Sequence, residues 1–379
     1  MNKQGKCVPT FSSRWCQHAY LAPEYEHDKE SFLDYLKLLL SHTGARVLIA
    51  SADGTLAVLR EYRQELEALT YVALAKEAAL EAAVNKTITL QIAQKLGLGI
   101  PRSVQISSVG EITEAIREIG LPAVIKPVES WLWGSDVQGE LQGVRLISRL
   151  VTTPEEAREA IEEQTQFGGS ALFQQFLAGR REAVNFMYAN GEIYARFAQW
   201  ARRTHPPLGG VSVYRQSIEI PSDIGEQAEK LVREIELEGY SEVEFRRDSE
   251  GKPYLMEINP RLSASIEVAV RAGVDFPYLL YQWASGEKID RVMDYRIGGW
   301  MRFLEGDILT TIQALSQYGR PGVDSPEQAI FDFMAAFFVP SGYDYVDGKD
   351  LLPVWTAMRD VAFRARQKLA SGMLRRTFR

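Results

Sequence analysis

The stretch "YLMEINPR" (254–261) sets Glu257 and Asn259 two residues apart on an otherwise apolar run. Strand side chains alternate faces, so these two point one way and Ile258 the other. A buried carboxylate beside a carboxamide is costly unless something pairs with it. The longer segment "SEVEFRRDSEGKPYLMEIN" (241–259) reads as a hairpin turning at residues 248–251, which can bring Glu244 beside Glu257. Two carboxylates and an amide oxygen are hard donors that suit Mg²⁺, and Mg²⁺ commonly shares its sphere with substrate phosphates. Arg261 follows at once and can meet a phosphate bidentately. Two solvated carboxylates on a surface hairpin are the plainer alternative.

Two lysines add to this set. Lys126 closes a buried strand in "PAVIKP", so its ammonium leaves the sheet towards something anionic. Lys86 opens a helix, where the dipole disfavours a cation, and this suits a ligand-facing role. A solvated lysine is the plainer reading of each taken alone.

The elements that must position these residues follow from periodicity. Residues 31–42 have helical spacing, 46–51 read as a strand, and "TLAVLREYRQELEAL" reads as a helix. Only this helix–strand–helix part of an α/β layer is visible before residue 85. A capped helix over 85–101, a helix over 107–122 and a strand over 123–128 come next. The Gly-rich segment 129–143, with two tryptophans, reads as a mobile loop. A strand (143–148), a helix (153–166) with Thr153 as N-cap and Pro154 in its first turn, and a strand (171–179) lead to a hairpin over 182–200 turning at Asn190-Gly191. After the 241–259 hairpin the pattern is helical to the end.

Composition narrows the class. The chain has 379 residues, 46% hydrophobic and 25% charged, enough for two or three domains with ample core. A net charge of −7 gives no sign of nucleic-acid binding. No apolar run is long enough to span a membrane, and the first residues lack the apolar core of a signal peptide. Two cysteines, Cys7 and Cys16, make no disulfide framework, so a cytoplasmic setting is expected. Four scattered histidines lack zinc-ligand spacing. There is no P-loop and no G-x-S-x-G elbow. The basic stretch 359–379 has apolar residues at helical spacing. The simpler reading is a helix packed on the domain; contact with an anionic membrane surface is the alternative.

The order of parts, with a helix-borne lysine, "LPAVIKP", a Gly-rich loop, "LFQQFLAGRREAV" and a hairpin ending "MEINPR", resembles the ATP-grasp superfamily over roughly residues 70–290. Within it the chain looks most like ATP-dependent carboxylate–amine ligases, the D-aspartate ligase-like group included; "RRTHPPLGGVSVYRQS" (202–217) is also like that group. The resemblance implies an α/β (α+β) protein with two β-lobes clasping ATP. It implies a reduced Rossmann-like α/β domain over 1–84, an ATP-grasp domain over 85–290 with its small lobe at about 120–180, and a mainly helical extension over 291–379.

It also implies residue roles. Lys86 and Lys126 would contact ATP phosphates, and the 129–143 loop would close over them. The backbone of Gln175 and Leu177, with Gln174 beside it, would meet the adenine edge, and Glu182 the ribose. Glu244, Glu257 and Asn259 would hold Mg²⁺, two ions with Mn²⁺ as a substitute. Arg261 and Lys126 would stabilise the transferring phosphoryl group, and Arg203 would contact the γ-phosphate or the acid. The implied reaction joins a small-molecule carboxylate to an amine through an acyl phosphate, in a protein that could form a homodimer. A nucleotide-binding protein without ligase activity is the alternative, and a carboxylase would need an acceptor group that the sequence does not show.

Overall fold

The computed structural model describes residues 8–135, 141–166, 168–207 and 209–363. Cys7 and residues 136–140 and 364–379 lie outside these.

The first unit comprises α1 (Lys29–Thr43), β1 (Val47–Leu48), α2 (Asp53–Glu61), α3 (Arg63–Glu67) and β2 (Tyr71–Val72). Its two short strands pair in parallel. The second strand was not legible in the sequence, because at two residues it has no room for alternation. Asp28 caps α1 through Ser31 N, and Gly44, at φ 60°, ends it. Helices α4 (Glu77–Val84) and α5 (Lys86–Lys95) follow.

The small lobe is an antiparallel sheet of order β3-β8-β4-β7, built from β3 (Ser103–Ile106), β4 (Ala123–Pro127), β7 (Arg149–Val151) and β8 (Ala171–Gln175). Helices α6 (Ile112–Ile119) and α7 (Pro154–Thr165) pack on one face against Ile106, Ile125 and Phe173. The lobe thus begins near residue 103, ahead of the expected 120, since β3 forms its edge. Between β4 and β7 stands a separate hairpin, β5 (Trp131–Ser135) and β6 (Leu141–Arg145); β5 falls where a loop was expected, and β6 lies partly on the strand expected over 143–148.

The large sheet has seven strands, in the order β13-β12-β9-β10-β11-β14-β15. Its members are β9 (Arg181–Ala189), β10 (Glu192–His205), β11 (Val211–Ile218), β12 (Gly239–Arg247), β13 (Pro253–Asn259), β14 (Trp300–Arg302) and β15 (Ser341–Tyr343). Asn190 (φ 51°) and Gly191 (φ 79°) make the expected left-handed turn between β9 and β10. Helix α8 (Ser222–Glu234) and the first unit share one core with Val184, Phe186, Val243 and Phe245 on one sheet face. Helices α9 (Glu267–Ala272) and α10 (Phe276–Ala284) cover Met187, Phe197 and Tyr240 on the other.

The C-terminal unit adds α11 (Leu304–Ser316), α12 (Pro326–Ala335) and a helix over 352–363, called α13. It is not simply a helical extension: β14 and β15 continue the large sheet, with β14 antiparallel to β11. No described helix is long and apolar enough to cross a membrane.

Candidate active site between the two sheets

Register places the acidic pair. In β12–β13, Glu244 lies opposite Glu257 and Glu242 opposite Asn259. Ile258 pairs with Val243 and joins the core, so alternation holds over 257–259. Leu255 would share the face of Glu257 in a regular strand. Instead it pairs with Phe245 in the core, because Met256 is an extra residue in a β-bulge. The bulge lets an apolar strand feed the core and still turn Glu257 into the cleft.

On this face Arg181 of β9 grips Glu244 at both oxygens, Nε to Oε2 at 2.9 Å and Nη2 to Oε1 at 2.6 Å. The Asn259 amide donates to Glu244 Oε1 at 3.2 Å, while its carbonyl accepts from Arg261 at 3.3 Å. The main bond of Arg261 goes to Asp53 at the start of α2, at 2.5 Å. Lys86 is buried at the first turn of α5, after the cap made by Asn85 on Ile88 N. Its ammonium sits 3.6 Å from Glu257 and 3.1 Å from Ser130 Oγ. Lys126 crosses from the small lobe and lies 3.6 Å from the Met256 thioether, a weak acceptor.

The cleft sets buried carboxylates against buried cations. Burial alone would raise Glu257, but Lys86, Lys126, Arg181 and Arg261 outweigh it and hold its carboxyl well below the usual range. Burial pushes Glu244 up; Arg181 opposes this, and Glu257 and Glu242 add to it. Burial also brings the Lys126 ammonium down to about 8, against the pull of Glu257. A divalent cation between the carboxylates would relieve Glu244, and phosphates would compensate the lysines. The donor set is all oxygen and fits Mg²⁺. A cavity of about 50 Å³ beside this set is lined by Asp53, Arg60, Lys86, Trp131, Glu257 and Asn259.

The small-lobe side of the cleft carries a second signal. Lys126 pairs with Leu172, and Val124 with Gln174, on the small-lobe face opposite the Ile125–Phe173 core. Gln174 is 1% exposed, yet its side-chain nitrogen has no partner among the described residues. A buried donor left unpaired is costly, and a ring acceptor in the cleft would satisfy it. Gln175 donates its backbone N–H to Arg102 O at 2.9 Å, and Leu177 is buried after the strand.

Two expected residues stand elsewhere. Glu182 pairs in register with Phe245 and Trp200, on the sheet face opposite Glu244. Its carboxylate is clamped by Arg247 at 2.7 Å and Arg180 at 3.1 Å, which removes it from the ribose role. Arg203 also departs. Counting by twos from Gln199 puts it on the face of Glu244, but a bulge between Ala201 and Arg203 flips it. Its guanidinium makes two bonds to Asp307, at 2.5 and 2.7 Å, and lies over the Tyr214 ring. The other predicted residues, Lys86, Lys126, Glu244, Glu257, Asn259 and Arg261, converge in one cleft.

Sequence reading missed Arg181, Asp53 and Trp131. Arg181 had no signal, because its reach to Glu244 depends on the pairing of β9 with β12.

The lid of the cleft is the β5–β6 hairpin. Trp131 packs on Tyr25 and Trp133, Gly143 N donates to Glu26 O at 2.7 Å, and Arg145 lies 3.8 Å from Asp53. The hairpin therefore rests on the first unit and encloses the Lys86 side of the cavity.

The chain is similar to several known proteins. Residues 170–299 match the family model described as "ATP-grasp in the biosynthetic pathway with Ter operon". The carbamoyl phosphate synthase large chain of Methanoculleus marisnigri is 27% identical over 210 residues, 52% of this chain. The present chain spans only 19% of that protein's length. A D-alanine–D-alanine ligase of Paracidovorax citrulli is 24% identical over 280 residues, covering 67% of this chain and 78% of that one. Among solved structures, a biotin carboxylase–βγ-ATP complex from Campylobacter jejuni superposes with a TM-score of 0.60 at 14% identity, over 79% of this chain and 68% of that one.

Proposed function

We propose that this chain, which has the ATP-grasp fold, is an ATP- and Mg²⁺-dependent ligase that joins a carboxylate to an amine through an acyl phosphate. One observation carries the reading: Lys86, Lys126, Glu244, Glu257, Asn259 and Arg261, from separate elements, meet in a single cleft. The similarity to a D-alanine–D-alanine ligase over two thirds of the chain supports the ligase class.

In the first step a carboxylate oxygen attacks the γ-phosphorus. The new O–P bond forms as the bond to the β-phosphate oxygen breaks and ADP leaves. Lys86 and Lys126 neutralise phosphate charge, and Arg261 offers a guanidinium within reach of the same place. Glu244, Glu257 and Asn259 would hold Mg²⁺, which supplies charge neutralisation at the phosphate oxygens. In the second step an amine attacks the acyl carbon; a C–N bond forms, phosphate leaves with the C–O electron pair, and the amine loses a proton to solvent. The hairpin β5–β6 keeps water from the acyl phosphate in between.

The test is phosphate release from ATP and Mg²⁺ over a panel of amino acids and hydroxy acids, with hydroxylamine as a generic amine. Acid-dependent release with hydroxamate formed is the expected result and names the carboxylate. ATP binding without release for any acid would favour a nucleotide-binding protein without ligase activity.

A further inference from the structure

Helix α13 carries apolar residues on both sides. Its inward side holds the buried Pro353 with Val354 and Ala357 half-buried, and Thr356 donates to Ser12 Oγ at 2.8 Å. Just before it, Asp350 accepts from Ser13 Oγ at 2.5 Å and from Arg14 N at 3.1 Å. These contacts pin the helix to the segment 9–14 and fix which side faces out. The outward side carries Leu351, Leu352, Trp355 (62% exposed), Met358 and Phe363 (59% exposed). Positions 351, 355 and 358, like 352 and 355, share one face at helical spacing. The same C-terminal unit exposes Phe331, Met334 and Phe338, so the apolar excess is not confined to one turn. Contiguous exposed apolar surface of this kind marks a contact surface.

Charge says what the contact is with. The chain carries −7 overall, yet residues 364–379 hold Arg364, Arg366, Lys368, Arg375, Arg376 and Arg379 and no acid. An apolar helix face with Trp and Leu, continuous in sequence with a purely basic stretch, is the chemistry that binds an anionic lipid surface. We propose that helix 352–363 and the basic segment 364–379 dock this protein on anionic bilayers. The plainer reading of 359–379, a solvated helix packed on the domain, falls mostly outside the described residues; within 352–363 the large apolar side chains Leu352, Trp355, Met358 and Phe363 face outward. This proposal does not depend on the ligase reading.

The full chain is sedimented with phosphatidylcholine vesicles, with and without phosphatidylglycerol. Sedimentation is expected only with the anionic lipid, weakening as salt is raised. Leu352→Glu/Trp355→Glu should lower the partition coefficient about tenfold or more, with an unchanged urea midpoint because both side chains are exposed. Arg375→Glu/Arg376→Glu should weaken it in the same assay. No sedimentation with phosphatidylglycerol, or the same sedimentation in both variants, overturns the proposal. So does a parent dimer that Leu352→Glu/Trp355→Glu converts to a monomer, since a second copy would then cover the face.

Discussion

Lys126 is the residue whose chemistry the fold alters most usefully. Burial, against the pull of Glu257, brings its ammonium down to about 8. A phosphate placed beside it favours the charged form and raises it again. Nucleotide binding above pH 8 should therefore take up a proton, and binding well below pH 8 should not, because the lysine is already charged. Calorimetry in buffers of different ionisation enthalpy reads this directly, and Lys126→Met should abolish the uptake. Glu257 is the complementary case. Lys86, Lys126, Arg181 and Arg261 hold it ionised, so Glu257→Gln removes the proposed metal ligand and leaves those cations uncompensated. Turnover should fall by about 10²-fold or more, with the circular dichroism spectrum kept; phosphate release at saturating Mg²⁺ checks it. Turnover near the parent rate would remove Glu257 from the site.

At the scale of elements, the proposed reaction asks the hairpin β5–β6 to keep water from the acyl phosphate. Gly143 is its tight point: a Cβ there would overlap the Trp131 ring and lie 2.7 Å from Trp133. Gly143→Val should lift the hairpin from the first unit. The expected outcome is uncoupling, more phosphate released per hydroxamate formed, as water reaches the intermediate. An unchanged ratio would mean the hairpin does not guard the acyl phosphate. This element also shows where sequence reading stops. The Trp131–Trp133 alternation was masked by surrounding glycines, and a segment read as a loop is a hairpin. The pairing of Glu244 with Glu257, by contrast, was legible, because one hairpin with a short turn fixes it by local register alone. Bulges are not legible in this way. The one at Met256 leaves Glu257 where alternation put it, while the one near Arg202 reverses Arg203. Glu182 failed for a related reason: its face depends on pairing with β12, far along the chain.

For the whole molecule, the question is what the C-terminal unit does for a site it does not line. Strands β14 and β15 extend the large sheet, and α11 brings the fully buried Asp307 over the face opposite Glu244. Asp307 there accepts from Arg203 and, at 2.6 Å, from Arg302, a guanidinium enclosed by Phe333 and Phe337. Removing one partner of a buried ionic group leaves charge uncompensated and costs about 3–5 kcal/mol. Asp307→Ala should therefore lower stability by about that much in urea denaturation, since two arginines lose their counter-ion. Arg203→Met is the sharper test, because Arg302 still satisfies Asp307. If the bulge has turned Arg203 out of the chemistry, Arg203→Met should lose stability but keep the parent kcat and KM in the acid-dependent phosphate assay at a temperature where it is folded. A kcat that falls while the fold is retained would return Arg203 to the phosphate site. The C-terminal unit would then serve to hold a catalytic arginine in reserve rather than to brace the sheet.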